Sequence, residues 1–97
     1  MFSGIIEQLG IVVHIERDRS NIHFTIETPI AKELKVDQSM SHDGVCLTVV
    51  KVFPEKNQYV VTAIQETLDK TNLKIWEIGY EVNLERSVKI DGRFDGH

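Results

Sequence analysis

Residues 39–50, SMSHDGVCLTVV, contain a hairpin that can be read directly from the chain. At its centre, Asp43-Gly44 is a pair that accepts the positive φ angles of a two-residue turn, and β-prone residues flank it. After the turn the side chains alternate: Val45, Leu47 and Val49 fall on one face, Cys46, Thr48 and Val50 on the other. A thiol, a hydroxyl and a branched apolar group in one row have two readings. They line a small polar-rimmed pocket, or they are the quieter face of a barrel strand.

Period two continues outward from this hairpin. Leu9, Ile11, Val13 and Ile15 alternate with Gly10, Val12, His14 and Glu16, which suits a strand with one face in a core. Residues 17–21, RDRSN, are a polar turn, and Ile22, Phe24 and Ile26 alternate with His23, Thr25 and Glu27 as a second strand paired with the first. Thr28-Pro29 has the form of a helix start, threonine as N-cap and proline in the first turn, opening a short segment over residues 30–34. Strands over residues 39–42 and 45–53 form the hairpin, residues 54–57 turn the chain, and residues 59–63 make the next strand. Thr62 and Gln65 have capping-box spacing, which predicts a short helix over residues 63–70. Residues 76–79 connect to a last strand over residues 81–88, and the tail, DGRFDGH, is polar and glycine-rich. Six strands and two short helices predict an all-β fold, a small closed antiparallel barrel of Greek-key type, because closure removes exposed strand edges.

Composition narrows the function classes. At 97 residues the chain is sized for one domain with a real core. A net charge of −4 with scattered basic residues argues against a nucleic-acid partner. The single cysteine makes no internal disulfide. No apolar run reaches membrane-spanning length and the first residues lack signal-peptide character, so a soluble, cytoplasmic protein is expected.

No local motif declares a chemistry. His14, His23, His42 and His97 are far apart, without metal-ligand spacing, and read as surface histidines. Glycine-rich phosphate-binding patterns are missing. Ser39, His42 and Asp43 invite comparison with a catalytic triad, yet near neighbours on a hairpin rarely converge. Cys46 has no local feature that would activate it, so it is a small filler or pocket lining, not a nucleophile. Thr48 and Thr62 share its face if their strands pair suitably, offering hydroxyls to the edge of a polar heterocycle. Residues 66–72, ETLDKTN, either offer backbone and hydroxyl groups to a ligand or form a capped connector.

Four segments in this order, MFSGIIE (1–7), DGVCLTV (43–49), ETLDKTNL (66–73) and VNLERS (82–87) with Gly96-His97, resemble the N-terminal domain of the riboflavin synthase family. Two departures keep the turn chemistry: Asp43 where the family favours asparagine, and Asp95-Gly96-His97 where it favours Gly-Gly-His. A third is larger, because family members continue into a second, similar barrel; the chain is thus expected to be half of a two-barrel enzyme. The resemblance implies dismutation of two 6,7-dimethyl-8-ribityllumazine molecules to riboflavin and 5-amino-6-ribitylaminouracil, with no metal or redox cofactor. The protein's task would be to hold two heterocycles face to face in opposite orientation. It implies that Gly4, Ile5 and Ile6 meet the ring through backbone groups, and that Cys46, Leu47 and Thr48 form one wall. Thr62, Ala63, Ile64, Gln65, Glu66 and Thr67 would contact ring and ribityl chain, with Ser39 and His97 near the site. The reaction would lie between this barrel and the C-terminal barrel of a neighbouring subunit in a trimer; alone, the chain would bind ligand with little turnover and could pair with its own copy. Two other classes compete. A non-catalytic lumazine- or riboflavin-binding antenna protein shares the fold, although Cys46 and the 66–72 pattern favour the enzyme; a ligand-free structural barrel leaves the polar row beside Cys46 unexplained.

Overall fold

The computed structural model describes residues 8–86, 89–90 and 93–94. Six strands, β1 (Gln8–Asp18), β2 (Asn21–Glu27), β3 (Ser39–His42), β4 (Val45–Phe53), β5 (Gln58–Ala63) and β6 (Glu81–Arg86), close into a barrel in the order β1-β2-β5-β4-β3-β6. Every neighbouring pair is antiparallel, including the closing contact of β6 with β1. A single α-helix among the described residues, α1 (Gln65–Lys70), follows β5, and 3₁₀ turns occupy Pro29–Glu33, Pro54–Lys56 and Leu73–Ile75. Two further short strands, β7 (Lys89–Ile90) and β8 (Arg93–Phe94), pair outside the barrel. The expected six-stranded antiparallel barrel is the one that forms.

Alternation builds the core where strands are regular. On β2, Ile22, Phe24 and Ile26 point inward; on β5, Tyr59, Val61 and Ala63 do the same. Each large side chain removed from water in this way contributes roughly 1.5–3 kcal/mol. Trp76, from the segment after α1, caps this layer with an edge-on contact to Phe24 at 5.0 Å between centroids.

β1 departs from simple alternation. Its buried face begins with Gly10 and Val12, while Leu9 and Ile11 are 47% and 42% exposed. A bulge between Val12 and His14 then resets the phase, so that Ile15 packs against the core. A second bulge between Val49 and Lys51 does the same on β4: Val50 stays outward and Val52 is brought in against the core. An extra residue bends a strand and increases its twist, which a narrow barrel needs at its corners. The bulky row of β1 is therefore not its core row, contrary to what unbroken alternation suggests. Gly10 is required at its position: a Cβ there would lie 2.7 Å from Ile26 Cγ2 and 2.8 Å from Leu84 Cδ1, both in buried side chains.

The two expected helix caps are used otherwise. Thr28 precedes the Pro29–Glu33 turn without capping it; its hydroxyl donates to the Leu9 carbonyl at 3.2 Å, tying the turn to β1. Helix α1 starts at Gln65 with Ile64 as its N-cap residue, and no side-chain cap is made, so the capping box at Thr62 does not form. The predicted last strand is observed to Arg86; its final two residues lie outside the described residues.

His42, expected at the surface, is wholly buried inside the barrel. Its Nδ1 lies 3.2 Å from the Met40 carbonyl and its Nε2 lies 2.8 Å from the Tyr59 hydroxyl. A carbonyl only accepts, so Nδ1 carries the proton and Nε2 accepts from Tyr59. Burial lowers the imidazole pKa to about 4, against the weaker raising effects of the Met40 bond and the Asp43 charge. The same burial raises the Tyr59 phenol.

Two outcomes follow. Gly10→Ala should destabilise the barrel by about 1–3 kcal/mol, because fully packed neighbours must move; an unchanged melting temperature would contradict this packing. For His42, the unfolded imidazole takes up a proton near its ordinary value while the folded one does so only near 4. The unfolded state therefore binds more protons in that window, and stability must fall as pH drops through it, by at most about 3 kcal/mol. Urea unfolding at successive pH values should show this loss, and His42→Gln should shrink it.

Candidate functional site on the outer face of β4 and β5

The register of three strands gathers the polar row. Ser39 sits opposite Thr48, and Ser41 opposite Cys46, across β3 and β4. Between β4 and β5, Val49 pairs with Val61, both pointing into the core. The adjacent residues, Thr48 before Val49 and Thr62 after Val61, consequently leave on the outer face. Cys46 and Thr48 are exposed, whereas Ser39 and Thr62 are half-buried. The thiol and three hydroxyls thus share one outward surface, with the start of α1 following directly from β5.

Other predicted positions divide by the parity of the strand. Leu47 and Ala63 point into the core, so their side chains serve the barrel and not the outer face. Ile64 is 50% exposed at the junction of β5 and α1. On α1, Gln65 donates to Asp69 Oδ1 at 2.7 Å and Glu66 pairs with Lys70 at 3.0 Å, so both side chains engage their own helix. Thr67 is half-buried, and its carbonyl accepts from the Thr71 hydroxyl at 2.8 Å. Leu68 anchors the helix in the core. Gly4, Ile5, Ile6 and His97 lie outside the described residues.

Ser39, His42 and Asp43 do not converge. His42 faces the interior with Tyr59 as its hydroxyl partner, and Asp43 turns to β6. Asp43 Oδ1 accepts from the Asn83 backbone N–H at 2.7 Å, and Oδ2 accepts from the Tyr80 hydroxyl at 2.8 Å. The Tyr80 pKa is raised chiefly by that bond.

One contact at the site was not legible in the sequence. His23 on β2 stands opposite Thr62 on β5, and its Nδ1 lies 2.7 Å from Thr62 Oγ1. Its Nε2 lies 3.3 Å from Asp18 Oδ2 at the end of β1. Residues separated by 39 positions meet here only through strand pairing. The outward parity of His23 on a regular strand was the one available signal.

This barrel, with a hydroxyl-rich outer face leading into a short helix, has known relatives. A family model for the lumazine binding domain matches residues 3–87. The riboflavin synthase of Bacillus subtilis (strain 168) is 36% identical over 98 residues, matching 100% of this chain and 45% of its own length. That of Mycobacterium bovis is 37% identical, with 100% of this chain and 48% of its own covered. The chain therefore spans about half the length of the curated relatives it matches. Among solved structures, LumP complexed with 6,7-dimethyl-8-(1'-D-ribityl) lumazine superposes with a TM-score of 0.80 at 26% identity, covering 99% of this chain and 56% of that one. LumP complexed with riboflavin gives 0.81 at 25% identity, covering 100% and 55%. The match over residues 3–87, on the fold described above, means that the chain belongs to the lumazine-binding domain family.

Proposed function

We propose that this chain is the N-terminal, lumazine-binding half of a riboflavin synthase and works in the cytoplasm. The observation that carries the proposal is the outward row of Ser39, Thr48, Cys46 and Thr62 beside α1, on a chain matched along its whole length by riboflavin synthases. A flat bicyclic ring with a polyol arm suits such a surface: hydroxyls meet its polar edge, and exposed Ile64 and Val50 offer apolar contact. The ligand is 6,7-dimethyl-8-ribityllumazine or riboflavin, as in the LumP complexes.

Catalysis then consists mainly of placement. One barrel holds the lumazine that donates a four-carbon unit, and a second barrel holds the acceptor in opposite orientation. Converting an encounter of two ligands into a fixed pair can lower the barrier by roughly 7–11 kcal/mol. The second barrel is the C-terminal one of a neighbouring subunit in a trimer. Leu9, Ile11, Ile75 and Ile78, all exposed here, provide apolar surface for such packing. Separated from its partner, the domain binds ligand with little turnover and pairs with its own copy.

The competing reading is an antenna protein that binds lumazine without converting it, favoured by the likeness to LumP. Fluorescence titration tests the shared part: riboflavin and the lumazine should both bind the 97-residue chain with quenching or a polarisation rise. No response at high protein concentration would point to a structural barrel. Addition of the C-terminal half should then generate riboflavin from the lumazine; tight binding without product would favour the antenna. In that reconstituted enzyme, Cys46→Ser should keep binding and lose less than about tenfold in rate, a barrier change under about 1.4 kcal/mol. Abolished turnover with intact binding would make the thiol a chemical participant.

A further inference from the structure

The geometry points to Asp18, His23 and Thr62 as a hydrogen-bond relay that makes the Thr62 hydroxyl an obligate acceptor for a ligand N–H or O–H. This deepens the proposed lumazine site and rests on that reading. The three side chains come from β1, β2 and β5 and form one chain, Asp18 Oδ2 to His23 Nε2 at 3.3 Å and His23 Nδ1 to Thr62 Oγ1 at 2.7 Å.

An ionised carboxylate can only accept, so Asp18 requires the proton of His23 on Nε2. In the neutral imidazole Nδ1 is then a bare acceptor, and the Thr62 O–H must donate to it. With its one proton committed inward, Thr62 shows only lone pairs to anything on the outer face. A threonine with no such partner would turn its hydroxyl either way and discriminate poorly between donors and acceptors. His23 is thus a positioning residue: it acts through Thr62, and Asp18 acts through His23.

Protonation reverses the polarity. Imidazolium has N–H on both nitrogens, so Nδ1 donates to Thr62 Oγ1 and frees the threonine proton to point outward. The site then offers a donor where it had offered an acceptor, and a ligand donor is repelled. The charged groups facing His23 come from β1: Glu16, directly opposite in register, and Asp18. On β5, the sole titratable side chain is Tyr59, which points into the core. His23 and Asp18 keep 28% and 59% of their side-chain surface exposed, so solvent protons reach the relay.

Riboflavin carries the two possible donors, the ring imide N–H and the ribityl hydroxyls. Fluorescence titration of the 97-residue chain with riboflavin, N3-methylriboflavin and lumiflavin, which lacks the ribityl arm, separates them. Thr62→Val should weaken riboflavin about tenfold, the loss of one well-made hydrogen bond to a donor. That loss should vanish for N3-methylriboflavin if the imide is the donor, and for lumiflavin if the arm is. Loss of affinity unrelated to either arm, or no loss at all, would overturn the relay.

A pH series supplies a readout that a merely structural role would not move. Riboflavin affinity should fall on acidification once the His23 imidazole takes up its second proton. His23→Asn places an amide oxygen near the Nδ1 position and does not titrate; it should keep the high-pH affinity and flatten the fall. His23→Leu should be weak at every pH. A fall that persists unchanged in His23→Asn would refute the proposal. Histidine ¹⁵N NMR shifts of the ligand-free chain test the relay without any binding: neutral His23 should be the Nε2–H tautomer, and an Nδ1–H tautomer would overturn it. A correct tautomer with no riboflavin binding would instead sink the lumazine-site reading on which this inference stands.

Discussion

Closure by β6 is the constraint on which the rest of the barrel depends. That strand pairs with β1 along one edge and with β3 along the other. Without it both neighbours would present unpaired N–H and C=O groups, a template for aggregation. The closing strand is fastened by the hairpin turn at the far side of β3. Asp43 and Gly44 both take positive φ, 51° and 87°, and this conformation aims the Asp43 carboxylate at β6. Both carboxylate oxygens are used, by the Asn83 N–H and the Tyr80 hydroxyl, and the Asp43 N–H returns a bond to the Asn83 carbonyl at 2.8 Å. Asparagine, favoured at this position by the family the chain resembles, would offer only one acceptor oxygen. The aspartate therefore serves the clamp with both its oxygens as well as serving the turn.

What was legible in the sequence was local. The turn at Asp43-Gly44, the alternation of β2 and the parity of β4 are each set by neighbours in the chain, and each appears where it was expected. What was missed depends on pairing between distant segments. Thr62 resembles an N-cap until β2 sets His23 beside it and draws off its hydroxyl. Thr28 fails as a cap for a similar reason, its hydroxyl reaching Leu9 on β1. The inward face of β1 could not be read from its bulky row, since the bulge at Val12/His14 breaks the period and Gly10 is chosen by crowding from β2 and β6.

The site shares its strands with the core, and parity keeps the two apart. On β4, Leu47 and Val49 pack inward while Cys46 and Thr48 face out; on β5, Tyr59 and Val61 pack inward while Thr62 faces out. The candidate site inherits the rigidity of hydrogen-bonded strands, which holds its groups more closely than a loop would. It also leaves Cys46 and Thr48 free to vary without opening a cavity beneath them.

Two histidine–hydroxyl pairs on β5 show how position sets what the same chemistry can do. Inside the barrel, His42 accepts from Tyr59 and is held neutral by burial, so the pair acts as a fixed strut from β3 to β5, passing beneath β4. Outside, His23 meets Thr62 with similar geometry, but solvent and the carboxylates of Glu16 and Asp18 surround it. The inner pair cannot change charge without costing the fold its stability. The outer pair can, because water is available to solvate the imidazolium and Asp18 is already placed to bind it. A histidine–hydroxyl pair on the outside of core strands can therefore change its hydrogen bonding without disturbing the interior.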